Sequence, residues 1–133
     1  MKKRPKVPEF LGIEEILQIH QDHLARDGGS PGIRDLELLQ SAVVMPMAQF
    51  GGEYLHRDLF EMAAAYLFHI VQNHPFGDAN KRTGAAAADI FLTLNGIDLR
   101  TEEKTFESIV LSVAEGKTDK SKLTQFLRES SQK

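Results

Sequence analysis

The chain has 133 residues, 41% hydrophobic and 26% charged, a balance that suits one soluble domain with a real core and excludes a disordered chain. Its net charge of −3 argues against direct nucleic-acid binding, so any cationic function must be local. Without cysteine there is no disulfide framework, zinc–thiolate site or thiol nucleophile, which accords with a reducing cytoplasm.

Residues 1–8 begin basic, Met1-Lys2-Lys3-Arg4, but Pro5, Lys6 and Pro8 follow where a signal peptide needs an apolar core. They read as a solvated tail. Apolar runs elsewhere are broken well short of a membrane span. Neither an internal repeat nor a low-complexity tract divides the chain, so 1–133 reads as one domain.

Ile13, Ile16, Leu17, His20 and Leu24 recur at helical spacing until Gly28-Gly29. His20 falls on the apolar stripe, where a hydrogen-bonded core histidine is expected rather than a ligand. Ser30-Pro31-Gly32-Ile33-Arg34 is turn-rich, and Asp35 is placed to cap a second helix with Leu36, Leu38, Leu39, Ala42 and Val43 inward and Pro46 at its end. Arg34 can reach a ligand phosphate, yet pairing with a carboxylate or capping a helix end explains it without any ligand.

The interval 47–57 is not helical. Gly51-Gly52 interrupts it, while Phe50, Tyr54 and Leu55 suit short extended segments, so a hairpin or flap is expected. Two readings of Gln49, Phe50, Gly51, Gly52, Glu53 and Tyr54 stay open. They are a connector covering the core edge, or a strip of backbone groups that holds an incoming peptide as an added strand.

Asp58 and Glu61 have capping-box spacing, and the helix they open, Leu59 to about Asn73, is apolar almost all round. Such a helix belongs in the middle of a bundle. His69 has no evident partner along the sequence. A later helix carries Ala85 to Ala88, Ile90, Phe91, Leu92 and Leu94 and stops at Asn95-Gly96. Ile97-Asp98-Leu99 is extended, and Thr101 is placed to cap a fifth helix with Phe106, Ile109, Val110 and Val113 on one face. A last helix from about Asp119 buries Leu123, Phe126 and Leu127. The expected architecture is an all-α bundle of about six helices with a small hairpin.

Between the two central helices lies His74-Pro75-Phe76-Gly77-Asp78-Ala79-Asn80-Lys81-Arg82-Thr83-Gly84. Pro75 disfavours helix at His74, and strong helix formers resume near Ala79 or Asn80. Residues 74–84 are therefore a loop entering a helix N-terminus, where free N–H groups and two cations suit phosphates. His74, at the boundary, is a serviceable general base, typically worth ~10²–10⁴ in rate. Asp78 is either an N-cap or a hard carboxylate for Mg²⁺ beside phosphates. Asn80 can donate to a phosphate or stitch the loop, while Lys81 and Arg82 can hold two phosphate groups. Phe76 anchors the loop. No Walker-type or kinase-type glycine loop is present.

At these residues the chain resembles the Fic/Doc superfamily, and within it the Doc (death-on-curing) toxins. The Fic motif has the form HPFxxGNGRxxR and the Doc branch HxFxDxNKR, matched here by His74, Phe76, Asp78, Asn80, Lys81 and Arg82. The stretches at 17–20, 28–32, 58–73 and 91–96 are also Doc-like. The resemblance implies a Fic/Doc fold and use of ATP with Mg²⁺. It further implies a toxin kinase that passes the γ-phosphate to a threonine of elongation factor Tu, blocks translation and is neutralised by a Phd-like antitoxin. On that reading His74 is the base, Asp78 the metal ligand, Asn80, Lys81 and Arg82 the phosphate cradle, and 49–54 the target-docking flap.

Fic enzymes, by contrast, are typically adenylyltransferases. Lys81 replaces a motif glycine and Ala85 the second arginine, which alters how ATP lies against the base and favours γ-transfer. The inhibitory motif [S/T]xxxE[G/N] fails, because Leu111 precedes Glu115-Gly116 where Ser or Thr is required; a separate antitoxin fits better. Adenylyl transfer and a catalytically silent binding module are the competing readings.

Overall fold

Six α-helices form among the described residues: α1 Ile13–Asp27, α2 Leu36–Val44, α3 Leu59–Asn73, α4 Asn80–Leu94, α5 Glu103–Ala114 and α6 Lys120–Glu129. The computed structural model describes residues 7–132, so the expected basic tail lies, save Val7 and Pro8, outside the described residues. A 3-10 turn, Met45–Met47, follows α2 at Pro46.

The nearly all-apolar sequence of α3 has the consequence its composition demands. Met62 to Leu67, Ile70 and Val71 are all buried, and α2, α4, α5 and α6 pack around them. The closest partner is α4, which contributes Ala87, Ala88, Phe91 and Leu92. A Cβ at Gly84 would lie 3.1 Å from Val71 Cγ2 and 3.3 Å from the Leu67 carbonyl oxygen, so the bare glycine permits this approach. Tyr66 Oη accepts from Leu11 N at 2.7 Å and donates to the Leu11 carbonyl at 2.9 Å, tying the segment before α1 to the buried helix.

Helix starts follow sequence chemistry at α2, α3 and α6 and depart from it at α4 and α5. Asp35, Asp58 and Asp119 each accept from the backbone N–H three residues on. Glu61 reaches back to Arg57 N at 2.8 Å rather than to Asp58 N, so the box closes one residue early. Thr101 does not cap α5. That helix starts at Glu103 with Glu102 as its uncapped N-cap, and the Thr101 hydroxyl turns to the Glu102 carbonyl.

The expected hairpin is present. β1 (Gln49–Phe50) pairs antiparallel with β2 (Glu53–Tyr54), Gln49 opposite Tyr54. Gly51 and Gly52 have φ of 61° and 82°, the left-handed pair that a tight two-residue turn requires. The Tyr54 ring packs on Phe10, while Phe50 is 84% exposed. A second ribbon pairs β3 (Asp98–Leu99) with β4 (Ser131–Gln132). Its C-terminal strand has no apolar alternation to announce it.

Candidate active site

Helix α3 ends at Asn73, and His74 adopts the left-handed conformation, φ 52° and ψ 54°. For a residue with a Cβ that backbone is uncommon and needs support. Arg34 supplies it: Nε donates to the His74 carbonyl at 2.6 Å and Nη2 to the Asn73 carbonyl at 2.9 Å. The backbone N–H groups of Arg34 and Asp35 donate to the Pro75 carbonyl at 2.7 and 3.0 Å. Arg34 is thus the helix-end cap that its sequence context allowed. The His74 ring itself is exposed.

Phe76 is fully buried and anchors the loop. Its ring stacks on His20, with centroids 3.7 Å apart and planes 8° apart, and His20 Nε2 donates to the Asp78 carbonyl at 2.9 Å. His20 is therefore the hydrogen-bonded core histidine expected, and the loop rests on it. The stretch 30–35 runs along the loop as a strap. Ile33 bridges Phe76, and Gly77 N donates to the Gly32 carbonyl at 3.2 Å.

Asp78 is not an N-cap. That position is Ala79, left-handed at φ 66°, with no side-chain cap on the helix it precedes. Asp78 Oδ2 accepts from Ser30 N at 3.1 Å and Oδ1 from Ala79 N at 2.8 Å. Those two N–H groups, with Arg82 nearby, hold its carboxyl below the usual carboxylate range. The approach is close: a Cβ on Gly29 would fall 2.9 Å from Asp78 Oδ2.

Asn80 is buried, and its amide is committed to the loop, Oδ1 accepting from Phe76 N at 2.9 Å and Nδ2 donating to the Phe76 carbonyl at 3.0 Å. Of its two expected roles, the structure shows the stitch. One N–H of Nδ2 remains beyond the stitch, and the backbone N–H of Asn80 lies in the uncapped first turn of α4, where an anion is favoured. Arg82 is partly engaged as well. Nη2 donates to the Gly28 carbonyl at 3.1 Å, and Nη1 lies 3.6 Å from Asp27. Lys81 is exposed.

His74, Asp78, Asn80, Lys81 and Arg82 line one cleft of about 350 Å³, with Val71 and Ala114 also in its wall. A groove of about 800 Å³ lies beyond Lys81 and Arg82, between α4 and α5, over Ala85, Ile90, Phe106 and Leu111. Residues 49–54 line neither. So the structure gathers the five loop residues and leaves the hairpin outside their cleft. The supports at Ser30, Arg34 and His20 were not assigned to the site from sequence. The glycines at 28, 29 and 32 were the available signal, because close backbone approach requires them.

The family sequence profile described as Fic/DOC family matches residues 10–92. Two curated relatives are similar over most of the chain. "Protein kinase doc" of Escherichia phage P1 is 35% identical over 111 residues, 77% of this chain and 87% of the relative. "Toxin Doc" of Mycolicibacterium smegmatis is 41% identical over 94 residues, 71% of this chain and 70% of the relative.

Proposed function

The chain belongs to the Fic/DOC family, and from that premise we propose that it is a Doc-type toxin kinase. In this reading it transfers the γ-phosphate of ATP to a Ser/Thr hydroxyl of a translation factor, elongation factor Tu being the first candidate. The observation that carries the reading is one cleft holding an exposed histidine, a carboxylate held in its charged form, an exposed lysine and an uncapped helix N-terminus. Base, metal ligand and anion site then lie within one substrate's reach.

His74 takes the proton of the target hydroxyl, whose oxygen bonds to the γ-phosphorus. The bond from that phosphorus to the β–γ bridging oxygen breaks, and ADP leaves with the electron pair. Lys81 and the first N–H groups of α4 hold the phosphate oxygens, and Arg82 joins them by exchanging its loose Asp27 contact for a phosphate. Asp78 fits Mg²⁺ as a hard, ionised carboxylate. Among the described residues no cluster of three or more His, Asp or Glu offers an all-protein cage, and Mg²⁺ beside phosphates favours one carboxylate with phosphate oxygens and water. The ion supplies charge neutralisation on the phosphates.

The hairpin 49–54 docks the target segment along a strand edge, and the segment extends from there to His74. A Phd-like antitoxin covers the cleft, and the module works in the cytoplasm. Among the described residues no helix is long and apolar enough to cross a membrane.

The test uses ATP labelled at the γ- or the α-phosphate, with Mg²⁺, elongation factor Tu and a His74→Ala control. The expected result is transfer of the γ label alone, reduced at least ~10²-fold in the control. Transfer of the α label would make it an adenylyltransferase. Silence of both labels, in whole lysate too, would leave a binding module.

A further inference from the structure

Three successive carbonyls around the candidate base, those of Asn73, His74 and Pro75, accept hydrogen bonds from the single dipeptide Arg34-Asp35. The guanidinium fork takes the first two and the backbone takes the third. Guanidinium geometry is what this arrangement needs, because its N–H vectors are fixed in one plane and can meet two adjacent carbonyls together. Both are charge-assisted, and the one to His74, at 2.6 Å, is the shortest of the four.

We infer that Arg34 is a positioning residue for His74: it locks the left-handed backbone that aims the imidazole into the cleft. The inference rests on the proposed role of His74 as base. Sequence distance conceals the link, because 40 residues separate the two. Arg34 is itself exposed and packs into no core, so removing its side chain leaves the buried bundle intact. Without the fork, His74 retains the Arg34 and Asp35 N–H bonds at Pro75 but loses every side-chain bond to its own peptide. A residue with a Cβ then relaxes from the left-handed region toward commoner backbone angles, carrying its ring with it.

The test compares wild type with Arg34→Met and Arg34→Lys by two independent readouts. The first is ¹⁵N relaxation of the His74 and Gly77 amides without ATP, which needs no activity. The second is steady-state γ-transfer, with kcat and the KM for ATP determined separately. Arg34→Met should stay folded, lower the order parameter at His74 and reduce kcat about 10–10²-fold with little change in KM, as misplacement of a reacting group does. Arg34→Lys, a point charge able to hold one carbonyl, should recover part of both. An unchanged order parameter at His74 overturns the inference whatever the activity, and so does a loosened His74 with wild-type kcat. Loss of order in Arg34→Met combined with an inactive wild type supports the positioning role and removes the kinase reading instead.

Discussion

At Lys81 the proposed kinase reading and the adenylyl-transfer reading can be separated by one side chain. It is exposed and stands where the Fic motif has glycine, at the uncapped start of α4. Removing one charged hydrogen bond to a phosphate costs about 1.5–3 kcal/mol, on the order of 10–10² in rate. Lys81→Gly should therefore slow γ-transfer by that factor and raise the share of label coming from the α-phosphate. Equal label ratios in variant and wild type would remove the connection between Lys81 and the orientation of ATP. Asn80 shows the limit of reading residues singly. An asparagine beside two cations suits a phosphate site, but whether its amide is free depends on Phe76, which turns back to take both of its hydrogen-bonding atoms.

Among the elements, the α3–α4 pair determines how exactly the loop is held, since the loop joins their facing ends. Gly84 sits at the contact, and a branched side chain there must push against Val71 and the Leu67 backbone. Gly84→Val should destabilise by about 1–3 kcal/mol in urea denaturation, the usual penalty for overpacking. Gly84→Ala should cost less, because its better helix propensity offsets part of the contact. Should Gly84→Val unfold at the wild-type midpoint, the close approach is not what keeps this position small. The starts of α2, α3 and α6 were legible from Asp35, Asp58 and Asp119, because capping chemistry is local, whereas Asp78 stands one residue too early to cap α4. Thr101 had suitable chemistry and the wrong place, since α5 begins only where its apolar face meets the bundle.

For the molecule as a whole, stability should depend on pH through a cluster outside the site. Lys120, at the start of α6, donates to Nε2 of His56 at 3.1 Å and of His69 at 2.9 Å, joining the segment after the hairpin, α3 and α6. Both rings accept and are therefore neutral. Burial first, and then the Lys120 charge, push His69 from 6.5 down to about 4, and the same two causes lower His56. A histidine with a depressed folded pKa contributes its full stability above its unfolded value. As pH falls from 6.5 toward 4 the unfolded chain takes up a proton that the folded one refuses, so stability is lost across that window. Denaturation midpoints should fall between pH 7 and 4.5, and His69→Gln, which still offers Lys120 an acceptor, should flatten that slope. Identical slopes would show that His69 does not titrate as its surroundings require.

The six-helix pattern, the hairpin and the position of the loop that carries His74, Asp78, Asn80, Lys81 and Arg82 were legible in the sequence. Periodicity, turn chemistry and motif spacing are local properties, and they survive folding unchanged. His69 had no partner along the sequence because Lys120 is 51 residues away, and Arg34 lies 40 residues before the backbone it caps. The tertiary structure alone decided these pairings. It also decided that Asn80 stitches the loop, that Arg82 touches the end of α1, and that 49–54 stays outside the cleft lined by His74 and Lys81. Each depends on which distant groups satisfy a donor or acceptor, and spacing along a chain does not determine that.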